Sequence, residues 1–290
     1  MKRIFFLCLT IIILLSGCTA AQPQAQVAAT TLPVYEFTKY ITEGTPITVS
    51  RLINESVSCL HDYSLSVRQV KDVEQAELIV INGAGLEEFM EDLLGGKETV
   101  DASEGISTLE CDHAHDDSHD HNHHHEEDAH IWLSPENAKI MAVNICQGLS
   151  ARYPRYEAIF ASNLETLLIE LDTLQRHGED ALASLSCREM ITFHDGFSYF
   201  AQSFDLHILE SVEEESGSEA SAQELKHLIG IVNEHHLGAV FTEVYGSASA
   251  AEVISRETGA VIYQLDMAMG GSSYFDAMYR NIDTIKEAMG

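Results

Sequence analysis

The chain has 290 residues, enough for two lobes with separate cores. Its 16 basic and 46 acidic residues leave a net charge of −30, which argues against nucleic acid as a partner, because phosphate binding needs a basic surface. Acidity suits attraction of cations and suits solubility equally, so it does not choose between them. No CxxC pair occurs among the six cysteines, which disfavours a thiolate zinc knuckle or a thioredoxin-like site.

Lys2 and Arg3 precede an apolar run over 4–15. The run is too short to span a bilayer, which takes about 20 apolar residues, and with its basic start it reads as a secretory signal. It ends in Leu15-Ser16-Gly17-Cys18, which resembles the bacterial lipobox, whose cysteine is acylated and becomes the new N-terminus. Residues 1–18 are therefore expected to be a lipoprotein signal with the lipid on Cys18, and 19–26 a flexible polar tether. Two acyl chains anchor stably, so the mature protein is expected at the outer face of the cytoplasmic membrane or in the periplasm. Export permits disulfides. Cys59, Cys111, Cys146 and Cys187 allow three complete pairings, with Cys59–Cys111 preferred because both lie in the first lobe.

Strand-like and helix-like segments then alternate. Segments 26–31, 47–53, 78–82 and 98–102 read as strands, with helices at 33–43 and at 66–75, the latter started by Ser66. A second series places strands at 189–193, 206–211, 238–242 and 260–265, with helices at 221–235 and 247–257. Such alternation predicts α/β lobes built on parallel sheets. Between the two series, Phe160, Leu164, Leu167, Leu168, Leu171, Leu174, Leu182 and Leu185 recur mostly at helical spacing over 154–185, started by Pro154. This predicts a long connecting helix, with Gly178 as a place where it ends or bends. The expected organisation is a first lobe over 27–153, the helix over 154–185 and a second lobe over 186–290.

Segment 111–128, CDHAHDDSHDHNHHHEED, is low in complexity and has no large apolar residue to pack. Neutral imidazole is the commonest metal ligand, so His113, His115, His119, His121, His123, His124 and His125 are expected to form several weak, exchanging metal sites. Three other histidines stand at strand-to-helix junctions, where open α/β sheets place ligands: His61, His130 before Ile131-Trp132-Leu133-Ser134-Pro135, and His194 after Met190-Ile191-Thr192-Phe193. Asp266 ends the strand at 260–265 in the same manner. These residues are too far apart for a zinc-finger spacing, so a site made from them must be assembled by the fold.

Asn54-Glu55, His61-Asp62-Tyr63-Ser64, Ala76-Glu77-Leu78-Ile79-Val80-Ile81-Asn82-Gly83 and Gly85-Leu86-Glu87 resemble the first lobe of the zinc and manganese substrate-binding proteins of ABC importers. His130-Ile131-Trp132-Leu133-Ser134-Pro135, Thr192-Phe193-His194-Asp195-Gly196-Phe197 and Phe241-Thr242-Glu243 extend the resemblance, in family order, over nearly the whole mature chain. The histidine-rich stretch before His130 is similar to that of the zinc-specific, ZnuA-like branch. The resemblance implies two α/β lobes, each a small mainly parallel sheet with flanking helices, joined by a long rigid helix with the metal in the cleft. It implies Zn²⁺ as the transported ligand, an ABC permease as partner, a monomeric chain and no enzyme activity. It carries the ligand roles to His61, His130 and His194. For the fourth place it offers Asp266, although Leu265-Asp266-Met267-Ala268 lacks the proline common after that aspartate, and water is the alternative. Asp62 and Asp195 are candidates to accept from imidazole N–H groups, and Glu243 to orient or bind.

Two other functions share these residues. Three imidazoles with an open position describe a zinc hydrolase, yet no HExxH helix, nucleophile motif or phosphate loop is present. A zinc-buffering or adhesive surface lipoprotein without a transport role is the other alternative.

Overall fold

A computed structural model describes residues 25–55, 60, 63–109, 127–212 and 220–290. The expectations for Cys18, Cys59, His61, Asp62, Cys111 and the seven histidines of 113–125 lie outside the described residues. Among the described residues, Cys146 and Cys187 are free thiols and no helix is long and apolar enough to cross a membrane.

The first sheet contains β1 (Val27–Ala29), β2 (Val49–Arg51), β3 (Leu78–Ile81) and β4 (Thr99–Asp101), in the order β2-β1-β3-β4. The second contains β5 (Glu189–Thr192), β6 (His207–Ser211), β7 (Ala239–Glu243) and β8 (Val261–Leu265), in the order β6-β5-β7-β8. Every strand pairing is parallel. Three of the four inner strands are Val-Ala-Ala, Leu-Ile-Val-Ile and Ala-Val-Phe-Thr-Glu, nearly continuous apolar runs, as expected where helices cover both faces of a parallel sheet. All eight strands fall within or next to the expected segments.

The helices of the first lobe are α1 (Leu32–Ile41), α2 (Val67–Gln75), a single turn α3 (Glu91–Leu94) and α4 (Pro135–Arg152). Helix α5 (Glu157–Leu182) follows, then α6 (Ser198–Ser203), α7 (Ala222–Glu234), α8 (Ser249–Thr258) and α9 (Tyr274–Met289). Ser66 and Ser221 each close a capping box, with Gln69 and Glu224 three residues on. Ser134 accepts from the Asn137 N–H and Pro135 occupies the first turn of α4.

Helix α5 has 26 residues, about 39 Å of length, and braces both lobes. Asn163 donates to the carbonyls of Ile41 and Glu43 in the first lobe, and Gln175 to that of Ser203 in the second. Gly178 does not end it, since the helix runs on to Leu182. A β-carbon there would come within 2.2 Å of the Phe204 ring, so the glycine is a packing notch rather than a break. The lobes also share a buried seam. Trp132 donates from Nε1 to the Met267 carbonyl at 2.7 Å, and the Tyr274 hydroxyl donates to the Trp132 carbonyl at 2.8 Å. Burial pushes the Tyr274 phenol far above its ordinary range.

Candidate metal centre

His130 opens a short 3₁₀ turn over Ile131–Leu133 on the first lobe, and His194 stands just past the end of β5 on the second. Their Nε2 atoms lie 3.3 Å apart across the cleft, with the ring planes nearly perpendicular. Each opposite nitrogen meets a carboxylate. His130 Nδ1 is 2.8 Å from Asp128 Oδ1, and His194 Nδ1 is 3.0 Å from Glu243 Oε1. A carboxylate only accepts, so each Nδ1 carries the proton and each Nε2 presents its bare lone pair. Two lone pairs facing at this distance repel unless a cation or a proton lies between them.

The spacing is that of a metal site. Two nitrogens bound at about 2.0–2.1 Å to a tetrahedral zinc stand roughly 3.3–3.4 Å apart. Asp128 and Glu243 are both nearly fully buried. Asp128 Oδ2 and Glu243 Oε2 have no hydrogen-bond partner among the described residues. Two buried negative charges that reach the cleft through imidazoles are offset best by a cation on the far side of those rings.

Glu243, one of the residues expected to orient a ligand, meets the Nδ1 of His194, and Asp62 lies outside the described residues. Asp128 was hidden at the end of the low-complexity run, although its position two residues before His130 is itself a signal. It accepts from both the backbone N–H and the ring of His130. Asp266, expected as a fourth ligand, is engaged elsewhere. Its Oδ1 accepts from the Ala268 N–H at 2.9 Å and its Oδ2 from Arg280 at 2.9 Å. Among the described residues, no third His, Cys, Asp or Glu joins the pair. Of the remaining histidines, His235 pairs with Glu189, His227 approaches Glu210, and His177 stacks edgewise on Tyr279, all away from the cleft.

The described residues on either side of the histidine run are tied together. Asp128 N–H donates to the Leu109 carbonyl at 2.8 Å. The Tyr199 hydroxyl donates to the Asp128 carbonyl at 2.8 Å and accepts from the Leu109 N–H at 2.9 Å. A buried carboxyl also closes the first sheet beside the cleft. Glu87 accepts from Thr30 Oγ1 and from the N–H groups of Asn82 and Gly83. Burial outweighs these bonds and pushes its pKa up to about 7.

Two parallel α/β lobes, a long helix bracing both and an imidazole pair between them define a cleft-type solute-binding protein of the metal-binding kind. The comparisons narrow this class. The family described as "Zinc-uptake complex component A periplasmic" matches residues 27–288, and the chain belongs to that family. Its members are solute-binding components of zinc uptake outside the cytoplasm, not enzymes. A Treponema pallidum protein named for metal binding is 26% identical over 301 residues, covering 96% of this chain and 93% of that one. The zinc-binding lipoprotein AdcA of Streptococcus pneumoniae strain R6 is 26% identical over 297 residues, covering 97% of this chain. The match takes in 59% of AdcA, so the chain spans a little over half the length of that relative. A crystal structure of ZnuA superposes with a TM-score of 0.78 at 27% identity, covering 92% of this chain and all of that one.

Proposed function

We propose that this chain captures a zinc ion in the cleft, outside the cytoplasm, and delivers it to the permease of an ABC importer. The observation that carries the reading is the 3.3 Å separation of the two Nε2 atoms, each backed by a buried carboxylate on Nδ1. His130 and His194 hold the ion, and His61 is the third ligand. The residues flanking His61 are well anchored. Tyr63 donates to Glu55 Oε2 at 2.7 Å, Gln69 bridges the Tyr63 hydroxyl and the Leu52 carbonyl, and Leu60 is buried. Asp266 takes the fourth place when Arg280 releases Oδ2, and water takes it otherwise. Cys18 carries the lipid anchor, the mature chain is a monomer, and His113, His115, His119, His121, His123, His124 and His125 bind further zinc weakly. The test is a zinc titration followed by the single tryptophan, Trp132, whose ring lies 5.3 Å from that of His130. One tight phase that vanishes in His61→Ala, His130→Ala and His194→Ala is expected. A tight phase that survives all three substitutions rejects the site.

A further inference from the structure

Tyr199 stands in the first turn of α6, on the segment that leads away from His194, and is buried at 2% exposure. Its hydroxyl reaches across to the first lobe. It donates to the Asp128 carbonyl at 2.8 Å and accepts from the Leu109 N–H at 2.9 Å. The next carbonyl, that of Ala129, is held from the first lobe's own side, where Asn82 Nδ2 donates to it at 3.1 Å just past the end of β3. The two peptide units ahead of His130 are thus gripped one from each lobe. Asp128, fixed in this way, accepts at Oδ1 from the His130 N–H at 2.9 Å and lies 2.8 Å from the ring Nδ1. The series runs from the Tyr199 hydroxyl to the Asp128 backbone, on to the Asp128 carboxylate and so to the His130 ring. It begins on the segment of His194, whose Nε2 faces that ring at 3.3 Å.

We propose that Tyr199 is a positioning residue of the metal centre, through which the second lobe sets the ring of His130 on the first. The inference rests on His130 and His194 being metal ligands. A buried phenol has one proton to give and lone pairs to accept with, and this one uses both on the backbone that carries Asp128. The groups that hold a ligating imidazole from behind fix its orientation and are worth about 10- to 100-fold in metal affinity. Tyr199 acts one step further out than Asp128, so its share lies near the lower of those figures. A hydrogen bond that spans the lobes also ties the orientation of one ligand to the place of the other. Asn82 cannot supply this, because it belongs to the same lobe as His130.

Tyr199→Phe keeps the ring and removes only the hydroxyl. The experiment is a double-mutant cycle on the full-length protein, in which zinc affinity is measured by chelator competition for wild type, Tyr199→Phe, Asp128→Ala and the double variant. Tyr199→Phe should weaken the tight phase about tenfold in the wild-type background and less than about twofold once Asp128 is gone. A second reading separates positioning from general support of the fold. With histidine labelled in the ring, the signals missing from His130→Ala and His177→Ala identify those two residues. In the zinc-free protein, Tyr199→Phe should move the His130 signal and leave that of His177, remote against Tyr279, in place. Equal losses of affinity in both backgrounds, no loss in either, or an unmoved His130 signal overturns the proposal. Movement of both signals together means that the hydroxyl serves folding at large, and overturns it as well. Tight zinc binding that persists in His130→Ala overturns instead the reading on which it rests.

Discussion

In the second lobe the sheet itself sets the histidine of the cleft. His194 leaves the end of β5, and the carboxylate that holds its ring, Glu243, ends the adjoining β7. In the first lobe the same sheet topology is put to a different use. His130 stands on a loop well beyond β4, and its ring is held by Asp128, two residues earlier on the same loop. At the strand ends of that lobe the buried carboxyl is Glu87, which caps Thr30, Asn82 and Gly83 instead of orienting a ligand. One fold thus places an imidazole by strand register on one side of the cleft and by a local turn on the other. The strand-placed histidine should be the more tolerant of losing its partner, because packed sheet geometry holds it from both sides.

The comparison can be broken in several places. The largest effect is expected from His130→Ala and His194→Ala. Each should weaken tight zinc binding well beyond the roughly 100-fold that loss of an imidazole's partner can cause, while His177→Ala, His207→Ala and His227→Ala leave it nearly unchanged. Equal effects in the two groups would place the site elsewhere.

Next come the carboxylates. Asp128→Ala and Glu243→Ala should each cost about 10- to 100-fold in zinc affinity, measured by competition with a chelator. Asp128→Ala should be the worse, because it also removes the acceptor of the His130 N–H. The reverse order would show that strand register does not protect His194.

Zinc at about a thousandfold excess over its dissociation constant should stabilise the wild-type fold by about 4 kcal/mol, read as a higher Tm. The gain should disappear in His194→Ala.

The smallest effect concerns Glu87. A carboxyl whose pKa is raised on folding, here from 4.5 to about 7, binds its proton more tightly in the folded chain. Its contribution to stability is therefore largest below pH 4.5 and is lost as pH rises through about 7. Glu87→Gln should flatten that part of the stability profile in denaturant melts taken from pH 4.5 to 7.5, without moving the tight zinc phase.

Much of this was legible in the chain. Alternating apolar runs and serine caps located all eight strands and most helices, because parallel strands buried on both faces leave continuous Val, Ile and Ala signatures. His130 and His194, which the fold brings together, stood out as well, since a histidine at a strand or turn boundary is conspicuous. Helix α9 went unremarked. The engagement of Asp266 by Arg280, which sits nearly two turns into that helix, is a tertiary contact that no local spacing announces. Asp128 was lost in a run of similar residues, where only the fold distinguishes the one that faces a ligand from those that do not. Gly178 looked like a break because helix propensity is local, whereas the ring of Phe204 that requires a glycine comes from another element.

The clasp formed by Leu109, Asp128 and Tyr199 bears on how such a chain can change over generations. The two stems of the histidine run are already joined by a backbone hydrogen bond, so the intervening segment begins and ends at one spot. Where the two ends of a segment already meet, doubling its length adds only about 0.6 kcal/mol in closure entropy. The number of histidines can then drift, expand or shrink with little strain passed to His130, two residues past the clasp. Removal of 113–127 is the corresponding laboratory step. It should abolish the weak zinc phase in calorimetry and leave the tight one in place. A lineage could therefore vary the number of these histidines while the geometry of His130 and His194 is inherited unaltered.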